Sequence, residues 1–80
     1  RVFKKMLRKQ PAVIQEKFYE RFKLFVKDQH NPLLANHILS GEWAGFRSIN
    51  VTGDIRAVFE EVDKNQIEFI DIGSHSKLYS

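Results

Sequence analysis

Eight polar side chains between residues 37 and 79 could do chemistry together: His37, Arg47, Asn50, Asp54, Arg56, His75, Lys77 and Tyr79. Two arginines in strand-like segments, a histidine and a tyrosine are the parts needed to cut a phosphodiester without a metal. Guanidinium groups stabilise the charge that builds on the phosphorane. A general base takes the proton of a ribose 2′-hydroxyl, and a general acid protonates the departing 5′-oxygen. An aromatic ring stacks on an unpaired base. Each residue also has a plainer reading. A lone histidine late in a strand is often structural or simply exposed. A strand arginine can pair across the ladder with Glu60 or Glu68. An aspartate after Gly53 is an ordinary turn residue. Tyr79 can be a terminal packing residue. The chemical reading demands one placement: Arg47 and Arg56 on neighbouring strands and His75 in the tail, converging on a single phosphate-sized hollow.

Other chemistries are disfavoured. His37, His75 and His30 are the only histidines, none at a ligand spacing with another on one helix, and there is no cysteine to support them. Neither a metal nor a cofactor is therefore expected. No glycine-rich phosphate loop and no serine nucleophile elbow is present.

The elements that must position this set follow from hydrophobic period. In "FKKMLRK" (3–9), Phe3, Met6 and Leu7 form one stripe of a short basic helix. Pro11 suits the first position of a second helix, running to about Lys27 or Asp28. Its stripe is Ile14, Phe18, Phe22, Phe25 and Val26, with Gln15, Glu16, Lys23 and Lys27 opposite. Such a stripe needs a flat apolar surface, and a sheet supplies one. Asn31-Pro32 ends the helix, and Leu33, Leu34 and Leu39 lie in a short turn or extended connector. Strands are expected at 46–51, 55–62 and 67–72, joined by turns at Thr52-Gly53-Asp54 and Asp63-Lys64-Asn65. The expectation is one α+β domain over 1–80, with a helical hairpin packed on an antiparallel sheet of about three to four strands.

Charge is uneven along the chain. Residues 1–27 carry a net +7 and residues 28–80 a net −4. The basic half implies a polyanionic or acidic partner. Eighty residues bury a thin core, and without cysteine no disulfide staples it. No apolar run approaches a membrane span and no leader is visible, so a cytoplasmic protein with no membrane partner is expected. The chain begins at Arg1, as a processed or partial sequence would.

One resemblance draws these features together. "NHILSGEWAGFRSINVTGDIRAVFEEV" followed by "IEFIDIGSHSKLY" resembles the RelE/ParE superfamily of bacterial toxins, most closely its YafQ-like members. The pattern is His37-x-Leu39-x-Gly41-x-Trp43, then Gly45-x-Arg47, then Asp54 and Arg56, then Gly73-Ser74-His75-x-x-Leu78-Tyr79. The upstream helices match the family's helical hairpin, so the likeness covers essentially the whole chain. It implies a ribosome-dependent mRNA endoribonuclease, or mRNA interferase, the toxin of a type II toxin–antitoxin system. Such an enzyme leaves a 2′,3′-cyclic phosphate or 3′-phosphate and a 5′-hydroxyl. The implied partners are mRNA on the ribosome, ribosomal RNA and an acidic antitoxin protein.

By this resemblance His75 matches the catalytic histidine, with His37 and Asp54 at the other acid/base positions. Arg56 matches the arginine at the scissile phosphate, Arg47 the strand arginine that supports it, and Tyr79 the stacking aromatic. Asn50 and Lys77 fall with the substrate-binding set. YafQ-like members carry histidine where this chain has Asn50. Asparagine cannot exchange a proton near neutrality, so that role falls to Asp54 or His37, or activity is weakened. The family also usually opens with a strand that here is absent or reduced. A non-cleaving or gyrase-directed module of the same superfamily is the alternative. A plain RNA-binding domain is a third reading, weakened because most phenylalanines lie on the helix stripe.

Overall fold

Proline lacks the amide that a helix interior requires, and Pro11 accordingly ends up just outside α2, as its N-cap, with Ile14 N–H donating to its carbonyl at 2.9 Å. The computed structural model describes residues 2–79, with the side chain of Tyr79 outside the described set. The elements are α1 (Val2–Arg8), α2 (Ala12–Lys27), a 3-10 turn (Pro32–Leu34), β1 (His37–Ile38), a second 3-10 turn (Gly41–Trp43), β2 (Arg47–Asn50), β3 (Ile55–Asp63), β4 (Gln66–Ser74) and α3 (His75–Tyr79). The sheet is an antiparallel meander in the order β1-β2-β3-β4.

The helices cover one sheet face. Phe18 and Phe25 of α2 and Leu7 of α1 are buried there against Ile49, Val51, Ala57, Phe59 and Ile72. The buried stripe of α2 is narrower than its sequence period suggests: Phe22 is 38% exposed and Val26 70%. Phe69 is the aromatic hub, with ring centroids 5.3 Å from Phe18, 5.4 Å from Phe59 and 5.7 Å from Phe25. Such pairs add roughly 0.5–1.5 kcal/mol each beyond simple burial.

Phe69 and Ile72 differ in parity, yet both pack on the helix side. The register explains how. Val58 pairs with Asp71 and Phe59 with Phe69, so Ile70 has no partner and forms a bulge. One extra residue shifts the alternation of everything beyond it. The irregular apolar pattern of this segment is the mark of that bulge.

The second face carries a smaller core of Leu39, Val58 and Leu78, with Trp43, Phe46 and Ile70 against it. Leu78 belongs to α3, which the strand reading of the tail did not anticipate. β1 is also new, two residues whose pairing of His37 with Ser48 adds a fourth strand.

Candidate functional site

Register decides which side chains can meet. In β2 and β3, Asn50 pairs with Arg56 and Ser48 with Val58, while Arg47 pairs with Phe59 and Ile49 with Ala57. Paired residues point to the same side of a sheet. Arg56, Asn50 and Ser48 therefore share the face bearing Leu39 and Leu78. Arg47 shares the opposite face with Phe59, under the helices. There its Nε donates to Asn36 Oδ1 at 2.9 Å, and Asn36 Nδ2 donates in turn to the carbonyl of Gln29. The expected convergence of two guanidinium groups does not occur. Arg47 ties the α2–β1 connector to the sheet, and Arg56 alone reaches the other face.

Arg56 is held firmly. Its Nε donates to Ser48 Oγ at 2.9 Å, and its Nη2 donates to the carbonyls of Ala35 at 2.8 Å and Ser48 at 3.2 Å. Ser48 is fully buried, at 0% exposure. A buried hydroxyl must find a partner, and a guanidinium with two nitrogens anchored has its plane fixed. The Ala35 carbonyl can serve because Ala35 sits at φ 45°, in the left-handed region that turns the chain out of the Pro32–Leu34 turn.

His37 meets the same carbonyl. Its Nδ1 lies 2.9 Å from Ala35 O and 3.3 Å from Arg56 Nη2. Arginine only donates, so both contacts cannot be hydrogen bonds at once. The shorter one favours Nδ1–H donating to the carbonyl, which leaves Nε2 as a bare acceptor. Arg56 and His37 are thus brought together by one backbone oxygen.

His37 also lines a cavity of about 450 Å³ with His75, Leu39, Glu42, Trp43 and Leu78. His75 opens α3, and its backbone N–H donates to the carbonyl of Asp54 at 2.9 Å. That bond sets the exposed Asp54 turn beside the start of the helix. Trp43 Nε1 donates to the carbonyl of Leu78 at 2.8 Å, tying the far end of α3 to the opposite wall. Lys77 lies in the neighbouring depression, which shares Glu42, Trp43 and Leu78 with the first. The stacking role expected of Tyr79 rests on a side chain outside the described residues. Among the described residues no group of three or more His, Asp or Glu side chains gathers as a cation site.

Sequence reading missed Ser48, Glu42 and Trp43 as parts of this site. Trp43 sat within the recognised motif but had no assigned task. Ser48 lies between two residues singled out for other reasons and follows Arg56 only once the register is known. His37 and His75 line one cavity, with a fixed guanidinium beside the first. That set can exchange protons at two points and balance negative charge at a third.

The fold is that of small bacterial toxins of the RelE-like superfamily. YafQ from E. coli superimposes with a TM-score of 0.74 at 17% identity, covering 99% of this chain and 91% of that one. The E. coli DinJ-YafQ complex gives 0.73 at 18%, with the same coverages. A YoeB/ParE toxin from Agrobacterium tumefaciens gives 0.68 at 22%, covering 89% and 84%. Comparison with curated proteins found no match. The profile described as "Bacterial toxin of type II toxin-antitoxin system, YafQ" matches residues 1–80, and the chain belongs to that family.

Proposed function

We propose that this toxin is a metal-independent endoribonuclease that cuts mRNA on the ribosome. The observation that carries the reading is that His37 and His75 line one cavity while Arg56 is held beside His37 on the Ala35 carbonyl that both contact. In the proposed reaction the bare Nε2 of His37 accepts the proton of the ribose 2′-hydroxyl. The 2′-oxygen attacks the adjacent phosphorus, Arg56 stabilises the phosphorane, and His75 protonates the departing 5′-oxygen. The products are a 2′,3′-cyclic phosphate and a 5′-hydroxyl. Asp54, beside His75, is the second candidate for proton transfer. Asn50, paired with Arg56, can hydrogen-bond a substrate but not exchange its proton. Lys77 offers one cation in the neighbouring depression, beside Glu42 and Asp71. Ribosomes place this activity in the cytoplasm. No described helix is long and apolar enough to cross a membrane.

The test is expression with translating ribosomes and mapping of new mRNA 5′ ends by primer extension. Codon-phased cuts are expected from the parent chain. His75→Ala and Arg56→Ala should each lower cleavage by about 10²–10⁴-fold without unfolding the domain. Undiminished cutting by both folded variants would remove the site. DNA damage dependent on gyrase, without RNA cuts, would favour the alternative target.

An acidic antitoxin completes the proposal, since the E. coli relative is seen bound to DinJ. Between α2 and the β3–β4 hairpin runs an apolar groove formed by Phe3, Phe22, Val26, Val62, Ile67 and Phe69, bordered by Lys4, Lys27 and Lys64. An amphipathic segment with carboxylates along its edges fits both features. Co-expression with the neighbouring acidic reading frame should yield a copurifying pair, and Val26→Glu should weaken it about tenfold or more by setting a like charge in the groove. A Val26→Glu toxin that copurifies as well as the parent would place the partner elsewhere.

A further inference from the structure

The chain leaves the Pro32–Leu34 turn and enters β1 between two arginines that come from opposite faces of the sheet. From one face Arg56 Nη2 donates to the Ala35 carbonyl at 2.8 Å, and His37 Nδ1 lies 2.9 Å from the same oxygen. From the other face Arg47 Nε donates to Asn36 Oδ1 at 2.9 Å. The Asn36 amide is engaged at both ends, because its Nδ2 donates to the carbonyl of Gln29, also at 2.9 Å. Turned over, that amide would set its donors against a guanidinium and its oxygen against a carbonyl, so its orientation is fixed. Asn36 thus bridges β2 to the loop after α2, next to the peptide whose oxygen gathers Arg56 and His37.

That peptide needs holding. Ala35 stands at φ 45° and ψ 46°, a left-handed conformation that a residue with a Cβ adopts only at a cost. Its own N–H donates to the Pro32 carbonyl at 3.2 Å, the long end of the hydrogen-bond range. Ala35 is exposed, so side-chain packing does not fix it. The direction of its carbonyl depends on its own ψ and on the φ of Asn36. Pinning Asn36 at two points therefore aims the Ala35 oxygen.

We propose that Asn36 and Arg47 are positioning residues for the histidine site: through the Ala35 carbonyl they hold His37 in its Nδ1–H form and Arg56 in its plane, and neither touches RNA. The proposal rests on the reading of the chain as a nuclease, and it gives Arg47 a task on the helix-side face with no phosphate in reach. A neutral imidazole free in water prefers its proton on Nε2. The Ala35 oxygen reverses that preference, since a ring nitrogen facing an acceptor carries the proton. Only then is Nε2 bare to take the proton of the 2′-hydroxyl. With the clamp released the carbonyl swings away, the tautomer reverts, and Arg56 loses one of its acceptors.

The tautomer of His37 is read by ¹⁵N NMR of the imidazole in the purified chain, at a pH where the ring is neutral. Cleavage is followed in parallel on programmed ribosomes. Arg47→Met, Asn36→Ala and the double variant are compared with the parent. Asn36→Asp, equal in size and unable to donate to Gln29, replaces Asn36→Ala if thermal unfolding shows that variant unfolded. The parent is expected to carry the proton on Nδ1, and each single variant to shift toward Nε2–H. Each should lower kcat by about 10- to 10²-fold, as misplaced catalytic groups do, while KM holds. The double variant should lose no more than the worse single one, because both act through one amide. A parent with the proton on Nε2 overturns the clamp, and so do losses that multiply in the double variant. A raised KM with a flatter salt dependence in Arg47→Met overturns it in favour of a direct phosphate contact. A lowered unfolding temperature with unchanged tautomer and kcat overturns it in favour of a purely structural role. A parent that cuts nothing, with variants that still shift the tautomer, leaves the clamp standing and removes the nuclease. Codon-phased cutting with the tautomer unmoved in every variant does the reverse.

Discussion

Arg56 depends on one small neighbour. Ser48 supplies two of its acceptors, the hydroxyl and the backbone carbonyl, and only the first can be removed by substitution. In Ser48→Ala the guanidinium keeps its bonds to Ala35 and to the Ser48-position carbonyl but gains freedom about Nε. Loss of one such charged hydrogen bond is worth roughly 1.5–3 kcal/mol. Cleavage should drop about tenfold or more in kcat with little change in KM, as measured by single-turnover kinetics on programmed ribosomes. An equal loss in KM alone would mean that Arg56 binds substrate without aiding the chemistry. Arg56 and both histidines were legible from the sequence as residue types in an order. Their partnership was not, because it runs through the carbonyl of Ala35, and no residue type announces a turned carbonyl. Arg47 was misplaced for a different reason. Face assignment across a hairpin depends on its pairing, and one residue more or fewer between β2 and β3 would have put the two arginines together.

At the scale of elements, α3 is the weak member. A single helical turn pays the cost of nucleation with almost no propagation to offset it, so it is held from outside. Burial of Leu78 against Leu39 and Val58 supplies one hold, and the Trp43 indole supplies the other by donating to the Leu78 carbonyl. Trp43→Phe keeps an aromatic ring but removes the donor. The expected cost is about 1 kcal/mol of stability, with faster amide exchange throughout α3 and cleavage reduced several-fold. Hydrogen exchange read by NMR would check this, and protection in α3 equal to the parent would show that Leu78 alone suffices. Helix α2 was readable because sixteen residues give its period room to declare itself. α3 and β1, at five and two residues, fall below the window in which any period can be counted. Helical periodicity was also too generous: it put Phe22 and Val26 in the core stripe, whereas the sheet is too narrow to cover them and they line the groove instead.

The whole molecule is held by one principal core in which Phe59 is completely enclosed, against Phe25 at 5.1 Å and Phe69. Replacing it with alanine should cost about 3–5 kcal/mol. A domain of this size has a total stability on the order of 5–15 kcal/mol, so Phe59→Ala should shift the urea midpoint sharply and leave a protein near its folding limit. A loss below about 1 kcal/mol would show that the helix layer collapses to fill the space. The α+β architecture could be read because long α2, two polar turns and β-rich segments all agree. The Ile70 bulge could not, since a bulge looks in sequence like a lapse of alternation.

Lys27, the last residue of α2, borders both the apolar groove and a second hollow walled by Glu20, Arg21, Lys23, Leu24 and Leu33. Whatever sits in one depression therefore meets the same ammonium as whatever sits in the other, and two anionic occupants would weaken each other's binding by equal factors.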